Sequence, residues 1–383
     1  MKKSRSIFEE VGATPAEQPA PAPSPRASRP AAERGPIRAW LAILFALLVA
    51  MIAVGGLTRL TDSGLSITEW RPVAGALPPS GEAAWTAEFD KYRASPQYAA
   101  LNHGMTIDAF KRIYWWEWGH RQLGRAIGAV WALGFLWFAV RRRIPPGWTP
   151  RLLALGVLGG LQGAIGWWMV VSGLETGMIA VASHRLALHL GLAFAILGLI
   201  VWYMLRLGRP EADLLQARRQ RNATLMAWGT ALATVAFVQV ILGALVAGID
   251  AGRAYTDWPL MGGEVFPSGA LALEPAWRNL LENPALVQFV HRTVGYLLFV
   301  LGLLAFLRSR RSALGNVRGA FAAMMAMLML QVVLGIVTVL HGAPLAIAIV
   351  HQLGAVALFA LILRARFSAL YPLQQRIARG SPS

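Results

Sequence analysis

Long apolar runs separated by polar segments dominate the sequence. A helix needs about 20 predominantly apolar residues to cross a membrane, and eight runs meet or approach that length. They lie near 38–58, 115–140, 152–171, 185–205, 225–248, 287–307, 319–340 and 344–363. The pattern predicts an all-α, polytopic membrane protein with eight transmembrane helices.

Two polar segments are long enough to fold over one face of the membrane. The first begins with Gly55-Gly-Leu-Thr-Arg-Leu-Thr-Asp-Ser-Gly-Leu-Ser-Ile-Thr-Glu-Trp-Arg-Pro72 and continues to Arg112. Short helices are predicted in it around Trp85–Tyr92 and Thr106–Lys111. The second covers residues 249–285. We expect the first segment to form a lid over the outer membrane face.

The eight runs divide into two sets of four that carry the same motifs. A His-Arg pair opens the second run of each set, a Leu-Gln pair lies in the third, and another histidine lies in the fourth. The equivalent residues are His120, Gln162, Gly166 and His189 in the first set and His291, Gln331, Gly335 and His351 in the second. Four crossings are an even number, so both sets have the same orientation in the membrane. The sequence therefore predicts two tandem four-helix bundles.

This repeat sets the predicted domain boundaries. Residues 37–210 form an N-terminal four-helix unit, and residues 211–366 form a C-terminal one. Residues 1–36 are rich in proline and alanine and are predicted to be a disordered tail, and residues 367–383 are predicted to be a second tail. The first apolar run begins too far from the start for a signal peptide, so it is interpreted as a retained helix.

Composition and charge agree with a membrane protein. Hydrophobic residues make up 56% of the 383 positions and charged residues only 14%. The net charge of +17 comes from arginine clusters in every second segment between the apolar runs. This positive-inside pattern places both termini in the cytoplasm, and it argues against nucleic-acid binding, which needs one basic face on a folded domain. A bacterial inner membrane is the predicted compartment, because acidic residues in the first tail fit a transit peptide poorly.

Four of the seven histidines lie inside apolar runs, in the half of the membrane nearer the outer face. They are His120, His189, His291 and His351. One such histidine is commonly a core residue bonded to a neighbouring helix, but a repeated pair favours ligand function. Two imidazoles from facing helices suit a bis-histidine haem b, whereas zinc and copper normally take three or four protein ligands. The chain has no cysteine, so thiolate ligands and covalent c-type haem are excluded. His103, His184 and His341 receive no role.

Arginines near the outer helix ends are candidate contacts for haem propionates. Arg121 and Arg292 directly follow their histidines, about 100° further around the helix. Arg59 and Arg253 follow the first helix of each unit. The alternative is that these side chains only extend to the membrane interface, and the sequence leaves both interpretations open.

Glu117 has no acidic counterpart in the second unit. It lies three residues before His120, on the same helical face, whereas the residue three before His291 is Gln288. The two units are therefore alike as candidate haem sites and different in chemistry. The alternative is that Glu117 only accepts hydrogen bonds near the helix start.

Five short motifs carry a resemblance to a known family. They are the segment that begins at Gly55-Gly-Leu-Thr, Glu117-Trp-Gly-His120-Arg121, Arg185-Leu-Ala-Leu-His189-Leu-Gly, Val290-His291-Arg292 and His351-Gln352. Over about residues 37–364 the chain resembles the haem A synthase, or haem O monooxygenase, family. Some members carry a cysteine pair in the loop after the first helix. This chain has none, so a thiol redox step cannot be assumed.

The resemblance implies a cofactor, a substrate and a reaction. It implies haem b at the positions matching His291 and His351, and the substrate haem O at those matching His120, His189 and Glu117. The C8 methyl of haem O would become a formyl group by two oxygenations, and the resulting gem-diol would lose water. Glu117 would then be a catalytic residue that stabilises positive charge or moves a proton. Haem O synthase and cytochrome oxidase assembly factors are implied partners, while the electron donor and any homo-oligomer stay open.

Two other functions fit the four histidines. A di-haem b electron carrier expects haems at different depths, whereas both predicted pairs lie near the outer face. It also leaves unexplained the difference between Glu117 and Gln288. A haem transporter would bind haem without turnover. Haem composition after expression with a haem O synthase separates these functions from the enzyme.

Overall fold

The computed structural model describes residues 34–373. Residues 1–33 of the predicted tail at 1–36 fall outside the described residues. Of the predicted tail at residues 367–383, residues 374–383 also fall outside them. The first helix begins at Arg34, and the last ends at Leu370.

The described range contains twelve α-helices. They are α1 (Arg34–Leu60), α2 (Glu82–Arg93), α3 (Pro96–Leu101), α4 (Ile107–Val140), α5 (Thr149–Gly173), α6 (Ser183–Leu207), α7 (Glu211–Arg219), α8 (Ala223–Gly248), α9 (Asn279–Glu282), α10 (Pro284–Ser309), α11 (Gly315–Leu340) and α12 (Leu345–Leu370). Eight of them, α1, α4, α5, α6, α8, α10, α11 and α12, are long and apolar enough to cross a membrane. The predicted all-α membrane fold is confirmed.

Side-chain caps determine where several of these helices begin. Thr106 accepts a hydrogen bond from the backbone of Ala109 and starts α4, and Asn283 caps α10 with proline in the next position. The helix predicted around Thr106–Lys111 is therefore not a separate element but the first turn of α4. The helix predicted around Trp85–Tyr92 is confirmed as α2.

Within each unit the transmembrane helices pack as a ring. In the first unit α1 contacts α4, α4 contacts α5, α5 contacts α6, and α6 returns to α1. In the second unit α8, α10, α11 and α12 follow the same order. The two helices that carry the histidines of a unit therefore lie diagonally opposite each other across the bundle. That arrangement aims both imidazoles at the bundle interior.

The two units share one apolar core. α6 packs against α8 and α12, and α1 packs against α12, with ring contacts such as Phe194 to Phe359 at 5.8 Å. Polar bonds also cross the interface: Gln352 donates to the carbonyl of Ile52 at 2.7 Å. The reciprocal pairing of α6 with α8 and of α12 with α1 is what a pseudo-two-fold axis along the membrane normal produces.

Candidate functional site

Each of the four intramembrane histidines packs against a glycine on a neighbouring helix. A β-carbon on the glycine would lie 3.3 Å from His120 Nε2 at Gly55, 3.1 Å from His189 Cε1 at Gly166, 3.2 Å from His291 Cε1 at Gly243 and 3.1 Å from His351 Cε1 at Gly335. Contacts this short leave little room for any side chain beside the imidazole. Each histidine therefore lies against one glycine, and we call this repeated pairing the cradle.

Glutamine amides hold the backbone of three of the four histidines. The bonds run from Gln162 to the carbonyl of His189 at 3.0 Å, from Gln331 to that of His351 at 2.8 Å, and from Gln239 to that of His291 at 2.9 Å. Gln162 and Gln331 are the repeated glutamines of the sequence pattern, and Gln239 on α8 is an addition that the pattern did not reveal. These bonds fix the height of the imidazoles within each bundle.

The structure brings the predicted pairs together. His120 and His189 are close enough to interact electrostatically, and so are His291 and His351. Nδ1 is buried without a hydrogen-bond partner in His189, His291 and His351. Within residues 34–373 no group of three or more metal-ligating side chains converges. Two imidazoles, each lying against one glycine, form a donor set that fits a flat macrocycle such as haem better than a zinc or copper site.

Glu117 lies at the centre of a buried polar network. Its side chain is 3% exposed. Oε2 accepts hydrogen bonds from the Ser66 hydroxyl and the Ile67 backbone N–H, both at 2.8 Å. Oε1 accepts two from Arg121, at 2.5 and 3.1 Å. Arg121 also donates to the carbonyls of Ile67 and Glu69, so the network fastens the loop at residues 61–106 to α4.

The second unit repeats this anchor without a carboxylate. Gln288 donates to the carbonyl of Tyr255 at 3.0 Å, and its buried Oε1 has no hydrogen-bond partner. Arg292 donates to the carbonyls of Tyr255, Asp257 and Leu260. The backbone N–H groups of Gly262 and Gly263 hold the pKa of Asp257 below its ordinary value. Both units thus fasten a loop through residues three before and one after the histidine.

The four predicted propionate contacts differ in their surroundings. Arg121 and Arg292 have the loop partners just described. Arg59 bonds to Asp62 at 2.8 Å and Asp250 at 2.9 Å, whereas the Arg253 side chain is 54% exposed with Asp250 at 4.0 Å. Contact with a propionate stays a prediction for all four.

A cavity of about 430 Å³ lies between the first loop and α4. Its lining includes Tyr114, Arg121 and Arg125 from α4, and Glu88 and Lys91 from α2. Hydrogen bonding to Glu88 is the main cause of the raised pKa of Lys91. The loop predicted to form a lid thus encloses a charged space beside α4.

Comparison with known proteins identifies the family. The model of the cytochrome oxidase assembly protein family matches residues 38–363. The chain belongs to the cytochrome oxidase assembly protein family. Three relatives named heme A synthase support the same placement. The protein from Ruegeria sp. (strain TM1040) is 61% identical over 98% of this chain and 99% of the relative. Those from Dinoroseobacter shibae and Paracoccus denitrificans are 63% and 58% identical, each over 97% of this chain and 98% of the relative.

In this chain, equivalent positions of α5 and α11 differ sharply in side-chain size. Aligning the repeated glutamines places Gly159 opposite Leu328 and Gly163 opposite Val332. Aligning the histidines of α4 and α10 places Gly128 opposite Phe299. No heavy atom would lie within 4 Å of a β-carbon at any of these three glycines, whereas Leu328 is 2% exposed. The first unit is therefore open where the second is packed, a difference that the repeat register could have revealed.

Proposed function

We propose that this chain is an oxidoreductase that converts haem O to haem A, as the names of its relatives indicate for those proteins. The observation that carries the proposal is the repeated cradle. Two diagonal imidazoles and two glycines recur in tandem bundles, which supports two haem sites in one chain. The proposed reaction oxidises the C8 methyl of haem O to a formyl group by successive oxygenations.

The packing difference between the units supports a division of labour. Haem O carries a long isoprenoid chain that haem b lacks. Phe299 and Leu328 belong to the apolar packing of the second unit, whereas the equivalent Gly128 and Gly159 face open space. We therefore assign the larger haem O to the first unit and haem b to the second.

The histidines take two different roles in this proposal. His291 and His351 hold haem b, which supplies redox chemistry when bound. His120 on α4 and His189 on α6 would bind the substrate haem. Gln162 and Gln331 set the heights of His189 and His351 through the carbonyl bonds at 3.0 and 2.8 Å.

Glu117 is the proposed catalytic residue. Its carboxylate lies on the His120 face of α4 and is shielded from bulk water by Ser66 and Ile67, which are 2% and 8% exposed. Arg121 pairs with the carboxylate through two hydrogen bonds. A fixed negative charge beside the methyl carbon stabilises positive charge as it develops, and a carboxylate can accept a proton when the gem-diol loses water.

The arginine clusters support an orientation for the multi-pass protein. Those at 141–143, 206–221 and 308–311 lie at or between the helix ends expected on the cytoplasmic side. We propose a bacterial inner membrane with both termini in the cytoplasm and both haem sites towards the periplasm. A haem O synthase would supply the substrate, and cytochrome oxidase assembly would consume the product.

The test is the haem composition of membranes that contain this chain and a haem O synthase. Haem A should form, and it should be absent when either protein is omitted. Haem b alone with reversible redox behaviour would instead support an electron carrier. Haem O bound without conversion, in the presence of oxygen and a reductant, would support a transporter.

A further inference from the structure

Arg185 lies one helical turn before His189 on α6. Residues four apart share a helical face, so Arg185 lies on the histidine side of the helix, with its backbone about 6 Å nearer the N-terminal end. The neighbouring element is α5, whose Trp168 ring centroid lies 5.0 Å from the guanidinium carbon. Arg185 is therefore adjacent to the first-unit histidine pair.

The guanidinium of Arg185 differs from the other described arginines because two of its nitrogens are buried and unpaired. Nε and Nη1 are buried and make no hydrogen bond. By contrast, Arg121 and Arg292 each bond to backbone carbonyls of their loops. A charged side chain within a membrane helix is costly unless it is paired, and the contact with Trp168 offsets only part of that cost. An anionic group beside His189 would satisfy the unpaired donors.

The second unit has no equivalent cation. The position four residues before His351 is Ile347. A contact made by Arg185 therefore has no counterpart in the second unit. The second unit folds without a cation at this position, so the fold does not require Arg185. Its unpaired donors therefore indicate a binding role.

We propose that Arg185 binds a propionate carboxylate of haem O in the first unit, an inference that rests on the proposed function. A haem held by His120 and His189 would present its propionates towards the outer ends of α4 and α6, where Arg185 lies. A guanidinium and a carboxylate pair through two parallel hydrogen bonds. The aromatic face of Trp168 would limit the positions that the guanidinium can take.

This contact would also determine which methyl group reacts. In haem O the C8 methyl shares its pyrrole ring with one propionate. Anchoring that propionate restricts rotation of the macrocycle about the line joining His120 and His189. The same contact keeps the C8 methyl, rather than another ring methyl, next to the Glu117 carboxylate. Arg185 is in this sense both a substrate-binding and a positioning residue.

The test compares haem O with its dimethyl ester, in which neither propionate is charged. Both are titrated into the purified full-length protein with its resident haem b, and binding is followed by absorbance. The wild type should bind haem O more tightly than the ester.

Arg185→Gln should weaken haem O binding roughly tenfold to hundredfold, the range for a hydrogen bond to a charged group. It should also lose much of the preference for the acid over the ester. The affinity of Arg185→Lys for haem O should be intermediate, because lysine keeps the charge but cannot donate two parallel hydrogen bonds to one carboxylate. Arg112→Gln removes an exposed arginine of the same unit and serves as the control.

Regiochemistry gives a second measurement that an indirect structural effect would not change. Products of Arg185→Gln should include haems oxidised at methyls other than C8, identified by NMR of the extracted pigment. Unchanged acid-to-ester preference in Arg185→Gln would overturn the proposal. Loss of resident haem b from both Arg185 variants would also overturn it, because the residue would then be structural. If haem O binding did not depend on His120 or His189, the proposed function itself would fail.

Discussion

The carboxylate of Glu117 and the guanidinium of Arg121 are joined by two hydrogen bonds across one turn of α4, at 2.5 and 3.1 Å. The other carboxylate oxygen binds Ser66 and Ile67. Glu117 thus fastens the first loop and, in the proposed function, also takes part in the reaction. The two roles can be separated because replacing Ser66 weakens the loop anchor and leaves the carboxylate in place.

The first prediction compares Glu117→Gln with Ser66→Ala. Glu117→Gln removes the charge while nearly preserving side-chain volume, so a catalytic carboxylate predicts a loss of haem A formation of about a hundredfold or more. Ser66→Ala weakens the loop anchor but leaves the carboxylate and its charge. Its activity should fall only a few fold. Both variants should keep haem b, and the measurement is chromatography of extracted haems.

Equal losses in the two variants would count against chemistry at Glu117 and in favour of a loop anchor. Gln288→Glu is the matched control from the second unit. It should not create a second reactive site, because the haem assigned there is a cofactor. Accumulation of the hydroxylated intermediate in Glu117→Gln would place the carboxylate in the later steps of the reaction.

A second prediction separates the two histidine pairs. His291→Ala and His351→Ala should lose resident haem b and, with it, activity. His120→Ala and His189→Ala should keep most of the haem b while losing turnover, because the pairs lie in different bundles. The measurement is haem content per purified protein. If all four variants lost the same haem to the same extent, the division of labour would be wrong.

Much of the fold was predictable because each membrane helix forms from one contiguous apolar run of the sequence. The structure differs mainly at helix ends, where caps rather than hydropathy decide the boundary. Thr106 extends α4 eight residues before the predicted run at 115–140. The histidine pairs were also predictable, since a repeat of four spans places equivalent helices in equivalent positions.

The surroundings of the histidines were much less predictable. The partners of Glu117 include Ser66, 51 residues away, and no period or motif indicates that a loop returns to this carboxylate. The amide of Gln239 on α8 reaches His291 on α10, a contact that depends on how two helices pack. Sequence patterns locate residues on a helix face, but they do not determine which side chain of another element faces them.

A third prediction concerns membrane orientation and follows from the arginine clusters. Reporter fusions after Arg143, Arg221 or Arg311 should behave as cytoplasmic. Fusions near Ser80 and Gly269, in the two long loops, should behave as periplasmic. The measurement is paired alkaline phosphatase and fluorescent-protein activity in intact cells. A periplasmic signal at Arg221 would contradict the orientation of the second unit.

The last prediction tests whether open space in α5 selects the substrate. Gly163→Val and Gly159→Leu copy the residues of α11 into the first unit. Filling the space should weaken haem O binding by roughly tenfold or more, because the new side chains would take volume that bound haem O needs. Binding of haem b, which lacks the isoprenoid chain, should change far less at this site. Gly160→Met copies the lipid-exposed Met329, which is 55% exposed, and should have no effect. The measurement is the ratio of haem O to haem b affinity in purified protein. An unchanged ratio in both Gly163→Val and Gly159→Leu would remove the support that α5 gives to placing haem O in the first unit.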